Sequence, residues 1–408
     1  MRVQTASLPV VFQYDPYLEL AEETTAYYAR LFAAGTRAGE APGVRDFGYA
    51  EFQRSAAAGL RWTPPLHNLV LAALMAPGFD HVAVTQLWSL FCGLLLLAAA
   101  FLLLRHYFPG EQAPQLLGLN LPLFLPAGIY LANFASADVT FAALCGLFLL
   151  AAARTESAPL NWRTAALLAL LNALLLLTRF SGPACFIYLN ALILLNFFRR
   201  RFPLPALAGY LALAWGLAAA LGGWLYLPRL LSPDGTLMPW LSGANEHNFL
   251  TFRFFSLLSG PVNNWHESES VLTGLYASFF SFDRIHAAVQ VPGLRNALFW
   301  LALPLAPLTL AGLAASLKDR RYDALNIFTL IMGTGAAWTY YQIALPHGML
   351  KASYLMFLFP AGAVYFAGGC RLAAARWRAG LPVLAAYLAA LDVLVIAYYY
   401  SFDFSRWW

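Results

Sequence analysis

Apolar residues fall in long runs separated by short polar stretches, and run length is the first signal. Ten runs are long enough to cross about 30 Å of hydrocarbon as helices, at roughly 82–104, 113–131, 138–153, 163–178, 182–198, 204–228, 297–317, 323–345, 352–372 and 380–400. The pattern predicts an all-α polytopic membrane protein, a bundle of about ten or eleven transmembrane helices. A shorter run, Leu66 to Met75, falls below spanning length and predicts a half-helix. Tyr17, Leu20, Ala21, Thr24, Tyr28, Leu31 and Phe32 recur at helical spacing, with Glu19, Glu22 and Glu23 on other faces. They predict an amphipathic helix along the bilayer surface. The segment 229–296 is polar and aromatic, with Pro233, Asp234, Gly235, Asn263, Asn264 and Trp265, and predicts short helices and loops. The chain therefore divides into an N-terminal segment 1–81, a first membrane region 82–228, a large loop region 229–296 and a second membrane region 297–408.

Composition removes the soluble alternatives. Of 408 residues, 61% are hydrophobic and 11% charged, against about a quarter charged in soluble domains. Little chain remains for a separate soluble domain, and the net charge of +5 reports topology rather than nucleic-acid binding. Alternate short loops hold twelve basic residues: Arg105, Arg154, Arg163, Arg199, Arg200, Arg201, Lys318, Arg320, Arg321, Arg371, Arg376 and Arg378. The opposite short loops hold only Arg179 and Lys351. The positive-inside rule assigns the first set to the cytoplasm. The residues before 82, the loop 132–137, the segment 229–296 and the loop 345–351 then face outward. No basic end followed by an apolar core opens the chain, so no cleavable signal peptide is expected, and a bacterial inner membrane is the expected setting. Cys92, Cys145, Cys185 and Cys370 lie inside apolar runs without metal-ligand spacing, which reads as packing.

Carboxylates at the outward side are the candidate chemistry. Asp138 opens the third run, in LANFASADVTFAALCGLFLLAAAR, and Asp15 lies in VFQYDPYLELAEE. An acid at the mouth of a span is costly and is a functional candidate by default. Two such acids suit a divalent ion with oxygen ligands, or a base that takes a proton from a hydroxyl. Each also reads as an ordinary helix cap, Asp15 with proline following it. Lys351, in ALPHGMLKASYLMFLFP, suits a phosphate as a point charge, or anchors its helix end by snorkelling. His347 beside it helps hold an anion when protonated, or is a plain loop residue. Glu246, His247, Asn263, Asn264, Trp265, His266, Glu267 and Glu269 suit sugar recognition by hydrogen bonding and stacking, or a solvated loop. Asp392, deep in the last run, reads first as a partner for another helix. No nucleotide-binding loop, HExxH or GxSxG stands at a usable position.

Taken together, several of these stretches resemble the GT-C glycosyltransferases, membrane enzymes that use polyprenyl-phosphate sugars and include the protein mannosyltransferase and aminoarabinose transferase branches. RWTPPLHNLVLAALM is similar to their HPPLY-type segment, and LANFASADVTFAALCGLFLLAAAR to the segment in which an acid follows an outer loop. SESVLTGLYASFFSFD and GMLKASYLMFLFPA resemble the late outer loop and the penultimate-helix motif. The resemblance covers about 10–400 and rests on the order and sidedness of motifs that are individually weak. It implies a transferase that moves a sugar from a polyprenyl-phosphate donor to a hydroxyl of a glycan, lipid or protein acceptor. It places the base or metal-site acid on Asp15, the second acid on Asp138 and the phosphate-binding lysine on Lys351. A divalent ion, or Lys351 with a loop arginine such as Arg253 or Arg284, would meet the charge on the leaving phosphate. Two departures stand out. The family begins with a span before its first acid, and none precedes Asp15; its first loop often carries adjacent acids, where this chain has Tyr14 and Pro16. The competing expectation from another class is a transporter or flippase using Asp138 and Asp392 as coupling groups.

Overall fold

The computed structural model describes residues 64–75, 81–126, 128, 137–200, 202–230, 276, 279, 292–339, 352–377 and 379–400. Among these every regular element is helical. The first seven helices are α1 Leu66–Met75, α2 His81–Tyr107, α3 Gln112–Phe124, α4 Ala137–Ser157, α5 Trp162–Leu176, α6 Gly182–Arg200 and α7 Leu204–Leu230. They are followed by α8 Pro292–Leu301, α9 Leu305–Ser316, α10 Asp323–Thr339, α11 Phe359–Arg376 and α12 Gly380–Tyr400. Short 3₁₀ turns at Arg320–Tyr322 and Ala352–Leu358 lead into α10 and α11. Seven spans among the described residues are long and apolar enough to cross a membrane. The chain is an integral membrane protein, and every one of the ten apolar runs in the sequence carries a helix. The half-helix expected at Leu66 to Met75 is α1. The amphipathic helix expected at 17–32 and most of the loop region 229–296 lie outside the described residues.

One expected span is divided. The run 297–317 is not a continuous helix; α8 ends at Leu301 and α9 starts at Leu305. Pro304 sits between them. It has no N–H to give and its ring collides with the carbonyl four residues back. The chain passes the interruption by shorter-range bonds, Leu303 N to Trp300 O and Leu305 N to Ala302 O.

Where each helix sits follows from its surface. α4 is apolar all round and rich in alanine, and it is buried over nearly its whole length, from Val139 to Ala153. α7 is equally apolar but offers Trp215, Trp224 and Leu227 to the surroundings, the surface of a lipid-facing helix. Glycine permits the tightest approach in the bundle. A Cβ on Gly312 of α9 would run into the Tyr365 carbonyl, and one on Gly369 of α11 into the Leu308 carbonyl.

The two ends of the bundle are polar in different ways. At one end Glu156 of α4 accepts from Tyr107 Oη at 2.9 Å and from the Ala324 N–H of α10 at 2.7 Å. Arg199 pairs with Asp323, Arg371 with Glu111 and Arg321 with Asp319, and Tyr107 stacks on Tyr322. The residues assigned above to cytoplasmic loops therefore gather at one end, here termed the basic end.

Candidate functional site

The opposite end is built around Asp138. It lies in the first turn of α4, where the positive end of the helix dipole favours a carboxylate. Its Oδ1 lies 2.6 Å from Nη1 of Arg179, and both side chains are largely buried. Arg179 sits in the turn between α5 and α6, and that turn is held on several sides. Leu66 N–H of α1 donates to the Leu177 carbonyl at 2.8 Å. Tyr226 Oη of α7 donates to the carbonyls of Leu176 at 2.8 Å and Arg179 at 3.3 Å. Gly182 lies against the Leu176 backbone, where a side chain would not fit. The guanidinium is thus delivered to Asp138 by a rigid turn.

One step along α4, Thr140 ties the half-helix to the bundle. Its Oγ1 bonds Nδ1 of His67 at 2.9 Å and accepts from Nε1 of Trp88 at 3.0 Å. Cys92 Sγ approaches the same oxygen at 3.7 Å. His67 and Thr140 are only 3% and 4% exposed, so each needs the other as a partner. Burial lowers the His67 pKa to about 4, against an upward pull from Asp138, so the imidazole is neutral near pH 7. α1, α2 and α4 are therefore joined by polar bonds immediately below an ion pair.

Of the candidates read from the sequence, Asp138 and Asp392 are in the described residues. Asp15, Lys351, His347, His266, Glu267, Arg253 and Arg284 lie outside them, as do Glu246, His247 and Glu269. Asp392 accepts from Asn120 Nδ2 at 2.6 Å, so α12 and α3 are joined as the pairing reading expected, beside a cleft lined by Phe124, Leu298 and Leu305. Arg179, His67, Thr140 and Trp88 were not singled out by sequence reasoning for chemistry. A signal existed for Arg179, one of just two basic residues in the base-poor loops. A buried acid calls for a cationic partner, and the candidates on its side of the membrane were few. For a divalent ion, no group of three His, Cys, Asp or Glu side chains converges among the described residues, and the Asp138 carboxylate already meets Arg179.

Helix number and order among the described residues define the class: a polytopic helical membrane protein. Neither a family model nor a curated protein sequence matches the chain. Among solved structures it is similar to ArnT from Cupriavidus metallidurans bound to undecaprenyl phosphate, with TM-score 0.51 and 15% identity over 90% of this chain. The chain spans 58% of the length of that ArnT chain. The same protein in the apo state is matched with TM-score 0.39 and 16% identity, over 86% of this chain and 74% of that one. The first likeness establishes the fold.

Proposed function

We propose that the chain is a membrane glycosyltransferase that moves a sugar from a polyprenyl-phosphate donor to a hydroxyl acceptor at the outer face of the membrane. The observation that carries this reading is the likeness of fold to ArnT bound to undecaprenyl phosphate, covering 90% of this chain. The Asp138–Arg179 pair supports it, because it supplies a cation and a carboxylate at the end of the bundle away from the basic end.

The donor's phosphate lies at the outer leaflet near Lys351, with its isoprenoid tail between helices and its sugar beneath the 229–296 region. Asp15 takes the proton of the acceptor hydroxyl, and the oxygen attacks the anomeric carbon. The bond from that carbon to the phosphate oxygen breaks, the configuration inverts, and the phosphodiester leaves as a phosphomonoester. Negative charge grows on the leaving oxygens, and cations placed in advance in a dry site stabilise it most. Lys351 and the loop arginines Arg253 and Arg284 serve there. Asp138 orients the site through Arg179, and His347, His266 and Glu267 contact the donor. A divalent ion held by Asp15 would add charge neutralisation, and no step above depends on it.

The test is transfer or hydrolysis of radiolabelled sugar from polyprenyl-phosphate donors by the purified protein in detergent. Turnover that disappears in Asp15→Asn, with insertion unchanged, supports the reading. Near-normal turnover in that variant removes Asp15 from the mechanism. Counterflow of the donor in sealed vesicles without bond cleavage would mean a carrier instead.

A further inference from the structure

α4 and α6 run parallel and in register. From the site end to the basic end, Asp138 meets Arg179, Cys145 meets Cys185, Phe148 meets Tyr188, Thr155 meets Asn196, and the Glu156 carbonyl meets Arg200. Four of these rungs are ion-pair, aromatic or hydrogen-bonded contacts of the usual kind. The thiol rung differs, because its two members can become one covalent unit.

The sulfurs are 3.8 Å apart, and both cysteines are fully buried. Cys185 directs its S–H to Sδ of Met332 on α10 at 3.5 Å, which leaves its lone pairs toward Cys145. Cys145 lies two helical turns below Asp138 on the same face of α4, and Cys185 lies one turn into α6, just past the Arg179 turn. The pair therefore fixes the spacing of the two segments that carry the ion pair.

We propose that Cys145 and Cys185 are an oxidisable pair whose disulfide staples α4 to α6 directly beneath Asp138 and Arg179. Two S–H bonds break and one S–S bond forms. The two electrons and two protons pass to a membrane-soluble two-electron oxidant of the quinone or diazene class, which becomes a hydroquinone or hydrazine. The sulfurs close from 3.8 Å to about 2.05 Å, with the two helices drawn together at this rung. Both thiols are buried in an apolar region, so the reagents that reach them are small, uncharged and able to partition into the membrane. The effect on ligand rests on the function proposed above: a stapled α4–α6 pair holds Arg179 on Asp138 and weakens binding of a lipid phosphate.

The full-length protein in lipid nanodiscs is treated with diamide, unfolded in an alkylating reagent and digested without reductant. The expected result is loss of two of the four free thiols and recovery of a linked Cys145–Cys185 peptide, absent from Cys145→Ala and Cys185→Ala. Four alkylated cysteines after treatment, or a link through Cys92 or Cys370, would overturn the proposal. The oxidised protein should bind undecaprenyl phosphate severalfold more weakly, with recovery in dithiothreitol. An oxidation effect of the same size in Cys145→Ala would overturn the assignment to this pair. Formation of the staple in a protein that binds no undecaprenyl phosphate in either state would uphold the thiol chemistry and remove the proposed function.

Discussion

The two ends of α4 carry acids of opposite character. Glu156, at the basic end, receives hydrogen bonds from α2 and α10 and sits among the paired side chains of α6 and the Arg320–Tyr322 turn. Asp138, at the other end, pairs with the Arg179 guanidinium, whose turn is tied to α1 by the Leu66 N–H. A carboxylate that joins several helices is part of the scaffold, and its loss is felt as stability. A carboxylate paired with a guanidinium in the first turn of a helix sits where an anionic ligand would compete for the same cation. On the function proposed above, the first acid is structural and the second functional.

Variants at the two ends test that contrast. Asp138→Asn is expected to reduce sugar transfer from a polyprenyl-phosphate donor by a factor of about 100 or more, with a thermal midpoint in detergent lowered by the uncompensated Arg179 but still a single folded transition. A midpoint that collapses would place Asp138 with Glu156. Glu156→Ala is expected to cost about 3 kcal/mol in denaturant unfolding, because it leaves the Tyr107 hydroxyl and the Ala324 N–H without their partner in a nearly buried place. Transfer by the protein that remains folded should be close to normal. Thr140→Val removes the oxygen shared by His67 and Trp88 and should cost about 1–2 kcal/mol, read as a lower midpoint together with a weaker apparent affinity for donor. An unchanged affinity would limit Thr140 to holding α1.

The smallest effect is in pH. His67 is depressed in the folded protein, from 6.5 to about 4. Stability from the neutral ring is therefore fully present above pH 6.5 and is lost as pH falls toward 4. Between pH 7 and pH 5 the wild-type thermal midpoint should fall further than that of His67→Gln. Equal falls would assign the acid sensitivity to other groups.

Much of this was legible from run length and charge. Every apolar run became a helix because a chain in hydrocarbon satisfies its backbone internally, which makes hydropathy a strong predictor. The gathering of Arg199, Arg200, Arg321 and Arg371 at one end followed from the same alternation of loops. The interruption at Pro304 was hidden because its neighbours are as apolar as a continuous span. Asp138 was visible as an acid at a helix mouth. Its partner was not, since Arg179 lies about forty residues further on and reaches it only through the parallel packing of α4 and α6. Thr140 and Cys145 were equally silent, being ordinary components of an apolar run until the neighbouring helices are set beside them.

The proposed function requires a lipid phosphate to meet the Asp138 end rather than the arginine-rich one. The direct measurement is binding of undecaprenyl phosphate to the full-length protein in nanodiscs, compared among wild type, Arg179→Gln and Arg200→Gln. A loss of affinity of tenfold or about that in Arg179→Gln, with Arg200→Gln close to wild type, is the predicted result. Equal affinity in all three, or a loss confined to Arg200→Gln, would contradict it.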